Sequence, residues 1–329
     1  MAGERTDNNW SGRYFYGPVA SRRLGLSFGL DIVPLKICTL DCIYCQLGKT
    51  ARKTIERKDF IPVDSIIAEL EISLSAGLKT DFITVAGSGE PTLNSRLGEI
   101  IDRIKQITNI PIALVTNGTL FYMPEVRADC AKADLVLPSL DAANEHTFSK
   151  INRPHRDISI KKHISGLVAF RNEYPGRIWL EVFLVDSINT DNEQIAEIKT
   201  VIEKIRPDKI QLNMAVRPTA QIGLRKLNLN KLQNIAEQLG PDCEIIADFT
   251  LSAEKMSPLN EPQGLHLDSG NITQALFSML KRRPCSLSDI CSSLELHPNE
   301  AMKYVTDMRN RGLIDTEEKE GKIFFKVIS

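Results

Sequence analysis

Cys38-Thr39-Leu40-Asp41-Cys42-Ile43-Tyr44-Cys45 puts three cysteines within eight residues, spaced by three residues and then by two. Thiolates this close cannot all point outward from one regular element. They suit a loop wrapped around a metal centre. A structural zinc site takes four ligands and closes on itself. A 4Fe–4S cluster has four irons and normally takes four thiolates. Three ligands in one loop would leave one iron open, and an open iron can do chemistry. The chain has seven cysteines, and the other four, Cys130, Cys243, Cys285 and Cys291, are scattered. They recreate no cluster spacing and read as small buried hydrophobes rather than a disulfide framework.

Outward from this loop the chain is ordinary for a globular protein. It has 329 residues, 42% hydrophobic and 25% charged, with a net charge of −1. That length suits one large α/β domain and a small one. No apolar run reaches membrane-spanning length and the first residues carry no apolar leader, so a cytoplasmic place without a membrane partner is expected. A balanced net charge excludes a global nucleic-acid signature. The five histidines, His146, His155, His163, His266 and His297, form no ligand-spaced pair and read as surface or loop residues.

Strand and helix patterns alternate on both sides of the loop. Leu30–Leu35 precedes it as an apolar strand. A helix follows Asp64 as a candidate N-cap, and Phe82–Ala86 is the next strand. Further strands are expected at 112–115, 135–137, 178–185 and 209–213, with helices near 95–106, 124–132, 158–172 and 192–205. Residues 228–239 and 244–247 extend the series. Six such units imply a parallel sheet covered on both faces, which right-handed crossovers curl toward a barrel. Parallel barrels place their chemistry at the strand C-termini, where the cysteine loop lies. Residues 1–255 are read as this domain and 256–270 as a linker. Residues 271–329 form three helices and a hairpin that resemble a winged helix-turn-helix. Residues 270–329 carry nine Lys/Arg against eight Asp/Glu, so partner or substrate docking is expected of this unit more than DNA reading.

Cys-x3-Cys-x2-Cys, with Tyr44 before the last cysteine, resembles the signature of the radical S-adenosylmethionine (SAM) superfamily. The resemblance implies a partial (β/α)6 barrel of the TIM type. It also implies a 4Fe–4S cluster on Cys38, Cys42 and Cys45, and SAM on the fourth iron, cleaved reductively to a 5′-deoxyadenosyl radical. In that family a Gly-Gly-Glu-type turn after the second strand receives the SAM amino group, and Ser88, Gly89 and Glu90 match it. Tyr44, Asn117, Ser139, Asp141 and Asn189, at strand ends, are the further candidate cofactor residues. An electron donor such as flavodoxin or ferredoxin is implied as partner.

The run Tyr16–Gly25, together with Asp31–Lys36 and Gln46–Gly48, resembles the wyosine-synthetase-like branch, which includes tRNA-imidazoguanine synthetases. Arg22, Arg23 and Arg217 are candidate contacts to an acidic substrate group. The best-known members of the branch carry extra cysteines for a second cluster before the triplet, and this chain has none before Cys38. The expectation is therefore a single-cluster enzyme, an oxidoreductase by class, acting on an RNA or a protein or peptide docked by the C-terminal unit. A rival reading is an iron–sulfur regulator that binds DNA without cleaving SAM.

Overall fold

Short apolar runs separated by segments of helical periodicity give an alternating β/α chain. The computed structural model describes residues 14–246, 269–294 and 296–328. Its main sheet contains β1 (Phe15–Ser21), β2 (Gly25–Leu30), β5 (Phe82–Val85), β6 (Ile112–Val115), β7 (Leu135–Leu137), β8 (Arg177–Leu184), β9 (Lys209–Met214) and β10 (Cys243–Ile245), side by side in that order. β1 runs antiparallel to β2, and every later neighbour is parallel. β3 (Ile37–Cys38) and β4 (Arg52–Lys53) make a separate small pair at the cysteine loop.

The crossovers carry α1 (Val63–Ser75), α2 (Leu97–Ile107), α3 (Pro124–Cys130), α4 (Glu145–Ile151), α5 (Ile160–Glu173), α6 (Asn192–Ile205) and α7 (Leu229–Leu239). Asn144, Ser159, Asp191 and Asn228 cap α4 to α7, each side-chain oxygen accepting from a backbone N–H in the first turn.

Side chains alternate across the strands and give the sheet two unlike faces. Ile178, Leu180, Val182 and Leu184 of β8 join Ile83, Leu114, Ile210 and Leu212 against Ile66, Leu70, Ile104, Leu167 and Ile198 of the helices. Truncating one of these, such as Leu180→Ala, costs about 2–5 kcal/mol. The intervening Trp179, Glu181 and Phe183 face the other way. There Leu24, in the β1–β2 turn, packs on Ala113, Leu135 and Leu137. Its neighbour Arg23 pairs with Glu181 at 2.7 Å. β8 is four places from β2, about 19 Å across a flat sheet. A side chain cannot span that, so the sheet curls around this second face, hereafter the site face.

Three expectations change. The strand before the cysteine loop ends at Leu30, and Tyr16–Gly25 is no loose arm but β1 and its turn into β2. The helix expected over 158–172 is preceded by α4, because Asn144 and Ser159 cap two separate starts. Pro62, not Asp64, holds the cap position of α1, and Asp64 lies in the first turn, where its charge suits the helix dipole.

The C-terminal residues form a second unit: α8 (Ser269–Arg282), β11 (Cys285–Ser286), α9 (Leu287–Leu294), α10 (Pro298–Asn310), β12 (Ile314–Lys319) and β13 (Lys322–Val327). The strands pair antiparallel in the order β11-β13-β12. Leu276, Leu280, Ile290, Val305, Met308 and Phe325 are among the residues of its own buried core. The expected linker 256–270 lies outside the described residues except for its last two, which begin α8; so does the expected end of the first domain, 247–255.

This unit touches both sides of the curled sheet. Arg282 lies over the Tyr16 ring of β1, 3.8 Å from its centroid. On the other side, Lys319 Nζ donates to the carbonyls of Ala215 at 3.0 Å and Arg217 at 2.9 Å, just beyond β9. Asp289 pairs there with Arg217 at 2.8 Å.

Candidate functional site

β2 ends at Leu30 and delivers Asp31 to the root of the cysteine loop. Its buried carboxylate accepts from the Ser88 N–H at 3.2 Å and the Ser88 hydroxyl at 2.5 Å. A Cβ on Gly87 would fall 2.4 Å from Asp31 Oδ1, and one on Gly89 would fall 2.2 Å from the Ile37 carbonyl oxygen. Only glycines let this turn lie directly against the loop. The backbones are then stitched, Lys36 N–H to Ser88 O at 2.6 Å and Glu90 N–H to Ile37 O at 3.0 Å.

Glu90 is buried at 2% exposure. Its carboxylate accepts from Thr92 N–H (3.1 Å), Thr92 Oγ1 (2.7 Å), Thr116 Oγ1 (2.5 Å) and Asn117 N–H (2.8 Å). Oε1 takes three of these donors and Oε2 one. Glu90 thus locks the ends of β5 and β6 together. The Ser88 hydroxyl and the Glu90 carboxylate both bond within the protein, to Asp31 and to Thr92, Thr116 and Asn117. Burial raises the Glu90 pKa above the usual carboxylate range, opposed by those donors.

The cysteine loop is held from several strands. Ile43 and Asp41 N–H donate to Ile151 and Asn152 carbonyls at 2.9 and 3.0 Å, and Ala220 and Gln221 N–H to those of Cys45 and Ile43 at 2.8 and 2.9 Å. Cys38 Sγ receives Leu40 N–H at 3.5 Å and Asn117 Nδ2 at 3.6 Å. Cys42 Sγ receives Asn152 Nδ2 at 3.5 Å. Donors aimed at sulfur stabilise thiolate charge and tune iron–sulfur clusters. Without a cation, burial pushes the Cys38 thiol up to about 12, and burial likewise raises Cys42 and Cys45. A bound metal reverses that penalty, since a coordinating thiol is deprotonated outright. Among the described residues no three His, Cys, Asp or Glu side chains converge as ligands of one ion. The three cysteines share one loop, and the sulfurs of Cys38 and Cys42 each receive a side-chain amide. The residues fit a 4Fe–4S cluster.

Asp141 is the hub on the far side of the loop. It accepts from Tyr44 OH (2.5 Å), Asn152 Nδ2 (2.6 Å) and Phe183 N–H (2.9 Å). Burial raises its pKa to about 6. The Tyr44 ring stacks on Phe183 of β8, centroids 3.8 Å apart. Asn189 is fully buried; it donates to the carbonyls of Asp141 and Phe183, both at 2.8 Å, and accepts Val185 N–H at 2.7 Å. With both ends used it braces Asp141 and the end of β8. Ser139 bridges to Glu181 at the end of β7, where Leu140 N–H donates to Glu181 O at 2.8 Å.

The fold therefore gathers Tyr44, Ser88, Gly89, Glu90, Asn117, Ser139, Asp141 and Asn189 around Cys38, Cys42 and Cys45. The arginines lie elsewhere on the site face. Arg23 pairs with Glu181, Arg22 Nη1 donates to Ile246 O at 2.7 Å, and Arg217, 1% exposed, pairs with Asp289. Sequence reading missed Asp31 and Asn152 as site residues, since nothing local marks an aspartate or asparagine as the partner of a distant loop. It also misread His163, which is buried in α5 beside Phe148, its pKa lowered to about 4 by burial.

Comparison with known proteins agrees with this geometry. The Radical SAM superfamily model matches residues 32–198. A protein of Brachyspira hyodysenteriae named GTPase Obg is 41% identical over 76% of this chain, but the match spans 37% of that protein's length. A UPF0026 protein of Methanocaldococcus jannaschii is 31% identical over 94% of both chains. A radical SAM methyltransferase from Sphaerobacter thermophilus superposes with a TM-score of 0.52 at 18% identity, covering 67% of this chain and 65% of that one, a likeness of fold. No helix among the described residues is long and apolar enough to cross a membrane. The chain belongs to the Radical SAM superfamily, together with the UPF0026 proteins, and is an enzyme of that superfamily, which works with a 4Fe–4S cluster and SAM.

Proposed function

We propose that Cys38, Cys42 and Cys45 hold one 4Fe–4S cluster, that SAM completes it, and that the enzyme alters an unreactive C–H position of its substrate. The observation that carries this assignment is the pair of amides, Asn117 and Asn152, directed at the sulfurs of Cys38 and Cys42. When bound, the cluster and SAM together supply a radical strong enough to break such a bond. The chain's own residues bind, orient and exclude water. Glu90 and Asn117 fix the cysteine loop to the ends of β5 and β6. Asp141, Asn152 and Asn189 fix it to β7 and β8. The Tyr44–Phe183 stack closes the apolar wall beside Cys45. Ser139 and the Gly87–Gly89 backbone are the groups assigned to meet SAM itself. An electron donor of flavodoxin or ferredoxin type reduces the cluster.

In this reading the curled sheet is a partial (β/α)6 barrel, residues 1–255, and residues 271–329 are a winged helix-turn-helix that docks an RNA or protein substrate. With no cysteine before Cys38, the protein is a single-cluster relative of the wyosine-synthetase-like branch acting on a different substrate, in the cytoplasm. A regulator that spares SAM is not adopted, since the superfamily consists of enzymes. The test is anaerobic reconstitution followed by iron and sulfide analysis and EPR of the reduced protein. About four irons per chain and a signal perturbed by SAM are expected. Two irons, one zinc, or a four-iron signal indifferent to SAM would contradict the assignment.

A further inference from the structure

The cysteine loop has a buried side and an exposed side. On the buried side stand Glu90, Asp141 and Asn189. On the exposed side three stretches of chain frame it through backbone hydrogen bonds. Residues 46–54 are tied on by Gly48 N–H to Cys45 O at 3.3 Å, Arg52 N–H to Lys36 O at 3.1 Å and Thr54 N–H to Cys38 O at 3.0 Å. Residues 152–156 are tied on by Asp41 N–H to Asn152 O at 3.0 Å and His155 N–H to Thr39 O at 2.9 Å. Residues 219–222 are tied on by the Ala220 and Gln221 N–H groups, which donate to the Cys45 and Ile43 carbonyls. The stretches also hold one another. Lys53 Nζ donates to Arg153 O at 2.9 Å, and Arg153 Nη2 to Gln221 Oε1 at 2.8 Å. They form one continuous frame.

The frame is cationic. It carries Lys49, Arg52, Lys53, Arg153 and Arg156, all exposed, and no Asp or Glu, in a chain whose net charge is −1. Among the described residues only Arg52 of these five has an ion pair, with Glu56 at 3.2 Å. The acids beside the frame have partners of their own. Asp41 accepts the Thr50 N–H at 2.7 Å, Asp157 lies 3.5 Å from His155, and Glu56 is shared with Lys58. Two exposed aliphatic side chains stand among the cations. Ile222, 92% exposed, follows Gln221. Leu35, 49% exposed, precedes Lys36, whose carbonyl takes the Ala51 and Arg52 N–H groups. Apolar side chains inside a charged rim are the anatomy of a protein–protein contact.

We infer that this frame is the docking face for an acidic one-electron donor protein of the flavodoxin type. Each cysteine lies one contact behind it. Cys38 pairs in register with Lys53. Cys42 Sγ receives the amide of Asn152, the neighbour of Arg153. The Cys45 carbonyl takes the N–H of Ala220, two residues from Ile222. An electron crosses such a layer without any atom moving, whereas a substrate must itself reach the reacting centre on the buried side. A partner confined to the exposed side is therefore suited to delivering electrons. The step moves one electron: the donor is oxidised by one, the cluster is reduced by one, and no bond forms or breaks. Opposite charge steers such an encounter, and electron-transfer partners meet through small, weak interfaces. A single-stranded nucleic acid suits the frame less well. Among the described residues no aromatic is found among the exposed large hydrophobic side chains, so bases have no ring to stack on. This inference deepens the function proposed above and rests on it for the cluster that receives the electron.

The test is the binding kinetics of an oxidised recombinant flavodoxin on the full-length reconstituted protein, over a series of ionic strengths, with unfractionated tRNA titrated in parallel. Saturable binding that weakens with salt is expected. The double variant Lys49→Gln/Arg156→Gln removes two charges whose side chains make no hydrogen bond or ion pair among the described residues. It should slow association about tenfold and flatten the salt dependence. Dissociation, melting temperature and iron content should stay as in wild type, a pattern that a disturbed fold does not give. Lys49→Arg/Arg156→Lys keeps both charges and should bind as wild type does, as should the remote variant Arg103→Gln. Ile222→Ser should instead speed dissociation several-fold. Three results would overturn the inference: no saturable binding, an unchanged association rate in the double variant, or tRNA binding that the same substitutions abolish while flavodoxin binding stays. The titration needs neither reduction nor SAM. Its failure leaves the cluster assignment standing, and a failed cluster assay leaves the measured docking standing.

Discussion

Around the cysteine loop the carboxylates are braced by several donors each, while at the seam with the C-terminal unit two guanidiniums keep a buried N–H without an acceptor. Glu90 takes four donors and Asp141 three, and Asn189 spends its oxygen and its amide on backbone. Arg23 and Arg282 each keep a buried N–H with no acceptor. The first region is scaffolding, which fixes sulfur positions. The second keeps unmatched donors. A polar residue at a strand end is therefore informative about binding only once its bonds are counted.

The contrast can be broken in order of expected effect. Cys42→Ala should reduce SAM cleavage by more than a hundredfold and lower the iron content, measured after identical reconstitution. Asp141→Ala orphans Tyr44 OH, Asn152 Nδ2 and the Phe183 N–H, and should cost about 3 kcal/mol or more in a urea titration. Asp141→Asn, which keeps an acceptor, should cost less. If both variants were neutral, the loop would not be held by this hub.

His163 sharpens the same point through pH. Its pKa in the fold is about 4, against about 6.5 in the unfolded chain. As pH falls from 6.5 to 4, the unfolded chain takes up a proton that the folded one refuses, so stability falls. The loss is about 3 kcal/mol by pH 4 and is absent above pH 6.5. His163→Leu should flatten that part of the profile relative to wild type; an unchanged profile would place the charge on another group. Arg103→Gln, which breaks an exposed pair with Asp64, should stay within about 0.5 kcal/mol of wild type.

Much of this was legible in the sequence because the cues were local. The cysteine spacing, the Gly87–Glu90 turn and the helical periodicities depend on neighbours in the chain. The helix over 228–239 and the three C-terminal helices were readable for the same reason. What escaped was long-range. Asp31 acts through Ser88, 57 residues away, and Asn152 acts on Cys42 across 110 residues. No periodicity encodes such pairs. Nor could sequence show that the Glu90 carboxylate braces strands, because two of its donors, Thr116 and Asn117, lie 26 and 27 residues away. His163 was misread because a histidine among the apolar positions of α5 looks polar in a string and is desolvated in the fold.

The most direct test of the central claim is to reconstitute the protein anaerobically, reduce it with dithionite in the presence of SAM, and measure 5′-deoxyadenosine. The account predicts its formation by wild type and its absence in Cys38→Ala, Cys42→Ala and Cys45→Ala alike. Intact SAM over a fully loaded, reduced cluster, or product from any of the three variants at the wild-type rate, would contradict it.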